Sequence, residues 1–308
     1  GGAPAGYGGC SMSVTIEQHH ELLRARVFEP EAFTRALLNR KRRTPQGTDG
    51  NLLLVASDHT ARGKISLGND PIAMADRHTL LDHLVRVLSS PGVDGVLGSA
   101  DVLEELAWLG ALENKLAIGT MNRGGIIGAT WELDDRLTSY DVDHVESMGL
   151  DGGKTLLRID YTDPAVASTL ETVASITTQL ADRKLLSMIE PLPYVKDSAG
   201  QAKLNPSDDA LVTVVAIASG LGASSAYTWL KVPASDRMDE VAGATTLPIL
   251  MLGGDPSGGV DPIFAKWETG MKEPNVRGLL AGRTLLYPPD GDIEAATKRA
   301  AQIVRPHH

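Results

Sequence analysis

Cysteine is all but missing: Cys10 is the one copy in 308 residues, so neither an internal disulfide nor a multi-cysteine metal site can form. That scarcity suits a reducing compartment. No apolar run approaches the ~18 residues that would cross a bilayer as a helix. No charged segment followed by an apolar one and a cleavage site opens the sequence, and a soluble cytoplasmic protein is expected, with no membrane partner. Positive charge is short as well. With 29 Lys and Arg against 39 Asp and Glu, the formal charge of −10 argues against nucleic acid as a partner. The one dense basic cluster, Arg40, Lys41, Arg42 and Arg43, reads as the solvated end of a helix. Also absent is the glycine fingerprint that open dinucleotide-binding sheets carry after their first strand: Ser57 is followed by no such pattern.

What is present is enough apolar residue, 42%, to bury a full core in one α/β barrel domain. Residues 1–12, rich in Gly, Ala and Ser, are expected to be a disordered or appended leader, and His307 and His308 a tail. Residues 13–48 are expected to hold two helices, at 16–27 and 31–42, with Pro30 opening the second, as a cap in front of the barrel. From 49 to 306, eight apolar runs alternate with amphipathic stretches. The runs are 51–57, 94–97, 115–118, 155–159, 184–189, 227–232, 248–252 and 276–281. Helical spacing marks 77–88, 102–109, 165–181, 208–220, 262–271 and 293–304, the last after Asp292 as N-cap. Eight strand-like runs with helical spacers predict a (β/α)8 TIM barrel with an N-terminal helical extension.

Alternation in the sixth run puts Tyr227, Trp229 and Lys231 on one face, and Pro233 is expected to stop the strand there. A charged side chain ending a buried barrel strand needs a partner or a purpose, and strand C-termini are where barrel enzymes do chemistry. An ordinary lysine, with pKa ~10.4, is almost wholly protonated at pH 7; one that attacks a carbonyl needs burial or cationic neighbours. Trp229 and Leu230 offer apolar surroundings, and Lys154 and Arg158 offer charge. Lys154, Leu156, Arg158 and Asp160 share a face of the fourth run. Glu190 closes the fifth run before Pro191, a natural place for an acid/base group, and Asp58 closes the first.

The seventh run ends in Gly253 and Gly254, the eighth in Gly282 and Arg283. Glycines let backbone amides approach an anion, the loops after strands seven and eight of barrels commonly bind phosphate, and arginine adds a charge-assisted donor.

These residues, in this order, resemble the class I aldolases of the DeoC/LacD type, over about 52–286. Asp58 with Arg62, Gly63 and Lys64 resembles that family's first-strand aspartate segment, and Lys154 with Leu156 and Leu157 its fourth-strand lysine. Glu190-Pro191-Leu192 resembles its fifth-strand glutamate, Leu230-Lys231-Val232 its Schiff-base lysine, and Gly282-Arg283 the phosphate end of its eighth strand. The chain is more similar still to an actinobacterial Cgl0159-like (β/α)8 family associated with inositol catabolism. The resemblance implies Lys231 as Schiff-base nucleophile, Glu190 as proton carrier, and Lys154 and Asp58 as orienting groups. It implies a small phosphorylated sugar as substrate and no cofactor, with association into a homo-oligomer as an analogy. The substrate implied is 5-dehydro-2-deoxygluconate 6-phosphate or a tagatose- or fructose-type phosphate, giving dihydroxyacetone phosphate. His59, Thr60 and Ala61 before Arg62, and residues 122–140, depart from the DeoC/LacD pattern, so the aldehyde side does not carry over.

Two other readings compete. A metal-dependent aldolase would need ligands, but His59 and His144 stand alone, and His78 and His83 are five apart on a helix and share no face. A non-catalytic barrel that binds a sugar phosphate would keep Gly253, Gly254 and Arg283 without needing a reactive Lys231.

Overall fold

The computed structural model describes residues 13–122 and 125–307; the expected leader, 1–12, lies outside them. Eight parallel strands close on themselves. They are β1 (Leu52–Ser57), β2 (Gly95–Gly98), β3 (Leu116–Thr120), β4 (Gly152–Ile159), β5 (Leu186–Lys196), β7 (Thr228–Pro233), β8 (Ile249–Leu252) and β9 (Val276–Ala281). Neighbours run β4-β3-β2-β1-β9-β8-β7-β5, and β4 pairs with β5 to complete the ring. This is a (β/α)8 barrel. The short β6 (Ala202–Leu204) is no barrel strand; it folds back antiparallel on the end of β5, Tyr194 opposite Leu204. Helices α3 (Arg77–Ser89), α4 (Ala100–Trp108), α5 (Val142–Ser147), α6 (Ala165–Asp182), α7 (Asp208–Ser219), α8 (Met238–Gly243), α9 (Asp261–Gly270), α10 (Arg283–Leu286) and α11 (Ile293–Val304) follow the strands in turn. The short α5, α8 and α10 and the β5–β6 hairpin escape a reading by periodicity, since four to six residues span fewer than two turns.

Side-chain alternation sorts the strands into two cores. Leu52, Leu54, Leu97, Leu116, Ile118, Leu186, Met188, Trp229, Leu250 and Leu280 point into the barrel, while a larger cluster packs strands against helices. Each such buried leucine contributes ~1.5–3 kcal/mol relative to exposure. Past Ala56, Met188 and Trp229 the next inward positions are Asp58, Glu190 and Lys231, so the polar layer sits directly on the apolar one. β7 ends at Pro233 as expected, but Pro191 does not stop its strand: β5 runs on through Pro191 and Pro193. Proline is tolerated where no ladder partner requires its N–H.

The N-terminal helices α1 (Ile16–Phe28) and α2 (Glu31–Asn39) lie on the barrel's flank. His19 stacks on His78 of α3, with centroids 4.7 Å apart. Arg26 pairs with Glu104 and Glu105 of α4 and covers the Phe33 ring. The basic cluster that follows is not a solvated helix end. The helix stops at Asn39, and Arg40 is buried, 2.7 Å from Asp151; Arg42 reaches the same carboxylate, and Arg43 pairs with Asp94. These aspartates precede β4 and β2, where they also accept from the Ala117 and Leu53 amides. The cluster therefore clasps the extension to the N-terminal rim of the barrel.

Candidate active site

Because the strands are parallel, every residue at a strand's C-terminal end faces the same mouth, and there a cavity of about 350 Å³ opens. Asp58, Glu190, Lys231, Gly253, Gly254, Gly282 and Arg283 all line it. Lys154 lies one layer deeper and is wholly buried, its Nζ 2.9 Å from Asp58 Oδ2 and 3.0 Å from Glu190 Oε1. Thr120 at the end of β3 donates to Asp58 at 3.1 Å. Lys231 Nζ is 3.3 Å from the other oxygen of Glu190, and both side chains are 7% exposed. One carboxylate thus bridges two lysines, and a second carboxylate shares the deeper one. Buried charges survive only when so compensated. The arrangement holds Lys231 against a proton acceptor at the edge of the cavity.

The two glycine-bearing ends meet at one side of this cavity, as β8 and β9 are neighbours. Gly253 packs so closely that a Cβ there would come within 2.7 Å of Thr284 Oγ1 and 3.3 Å of Trp267. Arg283 is only 14% exposed in its side chain and touches Asp255 through Nη1 alone, at 3.3 Å. Burial lowers its pKa and the Asp255 carboxylate partly restores it. Arg283 lines the cavity, and among the described residues its guanidinium has no other ion-pair or hydrogen-bond partner.

Two residues expected in the pocket lie elsewhere. Trp229 belongs to the apolar layer beneath Lys231 and does not line the cavity. Arg158 is fully buried and forks onto Asp135 at 3.0 and 2.7 Å, with Glu132 at 3.1 Å. Desolvation opposes its charge, but the Asp135 pair, with Tyr194 adding to it, outweighs that and its pKa is raised. Arg158 is therefore no neighbour of Lys231's amine; it pins the segment after β3 to β4. Conversely, His59, Arg62 and Lys64 after β1, and Leu192, Tyr194 and Leu204 of the hairpin, also line the cavity. Carrying the alternation Leu186, Met188, Glu190 past Pro191 would have found Leu192 and Tyr194. His78 and His83 do not converge: His83 meets Tyr287 edge-on while His78 stacks on His19. Among the described residues no group of three or more His, Cys, Asp or Glu is placed to hold a metal, and no helix is long and apolar enough to cross a membrane.

Known structures of the same architecture were found. Cgl0159 from Corynebacterium glutamicum (Brevibacterium flavum) is 44% identical with a TM-score of 0.92, covering 96% of this chain and 99% of that one. A Schiff base forming fructose-1,6-bisphosphate aldolase is 19% identical with a TM-score of 0.62, covering 88% and 99%. The fructose-bisphosphate aldolase from Slackia heliotrinireducens is 16% identical with a TM-score of 0.63, covering 98% and 91%. At the two lower identities the likeness shows the fold. No match was found among curated proteins. A model of the Cgl0159-like family matches residues 50–301, and the chain belongs to the Cgl0159-like family.

Proposed function

We propose that the protein is a class I aldolase that makes or breaks a C–C bond in a phosphorylated keto-sugar through a Schiff base on Lys231. The observation that carries this reading is the lysine–glutamate–lysine bridge: Lys231 at the cavity edge shares Glu190 with the buried Lys154. A barrel of the same fold bears the name of a Schiff base forming aldolase, which is in keeping with it.

In the cleavage direction, neutral Lys231 Nζ adds to the ketone carbon while the carbonyl oxygen takes a proton. Loss of water leaves an iminium. A base then removes the proton from the hydroxyl two carbons away, the C–C bond breaks, and its electrons pass into the iminium to give an enamine as the aldehyde departs. Protonation of the enamine carbon and hydrolysis return the lysine and the ketone. Glu190, within 3.3 Å of Nζ, is the proton carrier in this reading. Lys154 and Asp58 hold it and polarise the substrate hydroxyl, and the phosphate lies against Gly253, Gly254, Gly282 and Arg283. The substrate is 5-dehydro-2-deoxygluconate 6-phosphate, yielding malonic semialdehyde, or a tagatose- or fructose-type phosphate, with dihydroxyacetone phosphate as the shared product.

The test is intact mass and peptide mapping after incubation with dihydroxyacetone phosphate and sodium borohydride, Lys231→Ala alongside. A stable adduct on Lys231, missing from the variant, is expected. Binding of dihydroxyacetone phosphate with no adduct would sink the Schiff-base reading and favour a sugar-phosphate-binding barrel.

A further inference from the structure

Arg283 is held by an acid that the proposed mechanism does not use. Asp255, at the end of the β8 loop, spends its carboxylate three ways. Oδ1 caps the turn Pro256–Gly258 by accepting from the Ser257 amide at 2.9 Å. Oδ2 accepts from Arg283 Nη1 at 3.3 Å and from the Gly68 amide at 3.0 Å. Gly68 belongs to the long connection between β1 and α3, far away in sequence. It sits at φ +55°, and a Cβ on it would come within 3.3 Å of Ser257, so the two loops are in contact.

That connection is a compact body. Leu67 and Asp70 exchange two backbone hydrogen bonds at 2.9 and 3.1 Å, and the Met74 amide donates to the Ile65 carbonyl at 3.0 Å. At its root it carries Lys64, which lines the cavity with Arg62 and Arg283. A single oxygen of Asp255 therefore ties the arginine of the β9 end to the loop that brings a second cation. Among the described residues Asp255 is the one side-chain ion-pair and hydrogen-bond partner of Arg283. That contact is single and long, enough to station the guanidinium while leaving its other N–H groups for a ligand.

We propose that Asp255 is a positioning residue for substrate phosphate: it stations Arg283 and straps the β1–α3 loop against the phosphate end of the cavity. The proposal rests on the reading of that end as a phosphate site. Asp255 acts through Arg283, so its removal weakens anion binding only while Arg283 is present.

The experiment is a double-mutant cycle with inorganic phosphate as probe. Wild type, Asp255→Ala, Arg283→Met and the double variant are titrated by intrinsic tryptophan fluorescence, Trp267 lying against Gly253. Asp255→Ala is expected to raise the phosphate Kd about fivefold or more in the wild-type background and less than about twofold in the Arg283→Met background, the non-additivity of groups that act together. In the borohydride assay the dihydroxyacetone phosphate concentration for half-maximal trapping rises in parallel, while the saturating rate changes less. Should Asp255→Ala not fold, Asp255→Asn replaces it, keeping one oxygen for the Ser257 cap and no charge for Arg283. An unchanged or lower Kd in the Asp255 variant, or an equal loss in both backgrounds, overturns the proposal alone. Failure of wild type to bind phosphate overturns it together with the phosphate reading. Phosphate binding without any Lys231 adduct leaves the strap standing and fells only the aldolase chemistry.

Discussion

Replacing Lys154 by methionine tests the ion cluster most directly. The side chain is 0% exposed and compensates Asp58 at 2.9 Å and Glu190 at 3.0 Å. Methionine nearly keeps its volume, so little is lost to a cavity, and the cost is that of two buried carboxylates deprived of their shared cation, about 3–5 kcal/mol. With an unfolding entropy of about 2.1 cal/mol/K per residue, the 308 residues give about 0.65 kcal/mol/K, so the melting temperature falls by about 5–8 °C. The deficit depends on pH. Without the ammonium, proximity and burial raise carboxylate proton affinity in the folded state above that in the unfolded chain. Such a shift contributes stability below the unfolded carboxylate range and loses it as pH rises. Scanning calorimetry of wild type and Lys154→Met at pH 5 and pH 8 should therefore show the larger gap at pH 8. A gap under about 2 °C, or one larger at pH 5, would refute the bridged arrangement.

Other perturbations have equally definite outcomes. Asp151→Ala strands Arg40, whose side chain is 1% exposed; a loss of about 3–5 kcal/mol is expected in a denaturant titration, with the extension released to proteolysis. Burial lowers the pKa of both His83 and His19 from the ordinary 6.5, the neighbouring His78 adding to the effect at His19. Histidines held neutral in the fold favour unfolding as acid is added, so the melting temperature drops as pH falls below 6.5, and His83→Phe flattens that slope. A variant with the wild-type slope would count against the burial argument. Gly278 sits at φ +142°, and a Cβ there would lie 1.9 Å from the Leu52 carbonyl oxygen across the β1–β9 pairing. Gly278→Ala should yield no soluble folded protein, and recovery of a wild-type melting curve would show that the strands can part there.

Much of the barrel was readable because its physics is periodic. Val276–Ala281 and Ile293–Val304 coincide with the expected 276–281 and 293–304, since a buried parallel strand and an amphipathic helix each write their geometry into residue spacing. The same alternation put Lys231 above Trp229 and Lys154 below Arg158. It could not say how far up the barrel each pair sits. Trp229 falls in the apolar layer, and Arg158 rises past the cavity into carboxylates of the segment after β3. That depth depends on how far each strand is displaced along its neighbour, which no single strand encodes.

By itself, then, the sequence determined the number of barrel strands, which residues of the fourth and sixth runs share a face, and which polar residues and glycines stand at the strand ends: Asp58, Glu190, Lys231, and the glycines of the seventh and eighth runs with Arg283. Local spacing decides these, and short-range periodicity is enough to specify them. Only the tertiary structure decided that Glu190 bridges Lys231 and Lys154, that Arg40 is buried against Asp151, and that Asp255 joins Gly68 to Arg283. Each of these joins groups 28 to 187 residues apart in at least one of its contacts. Such partners are chosen by the closure of the ring, which brings distant segments together at its two rims, Arg40 and Asp151 at the N-terminal one and the others at the C-terminal mouth.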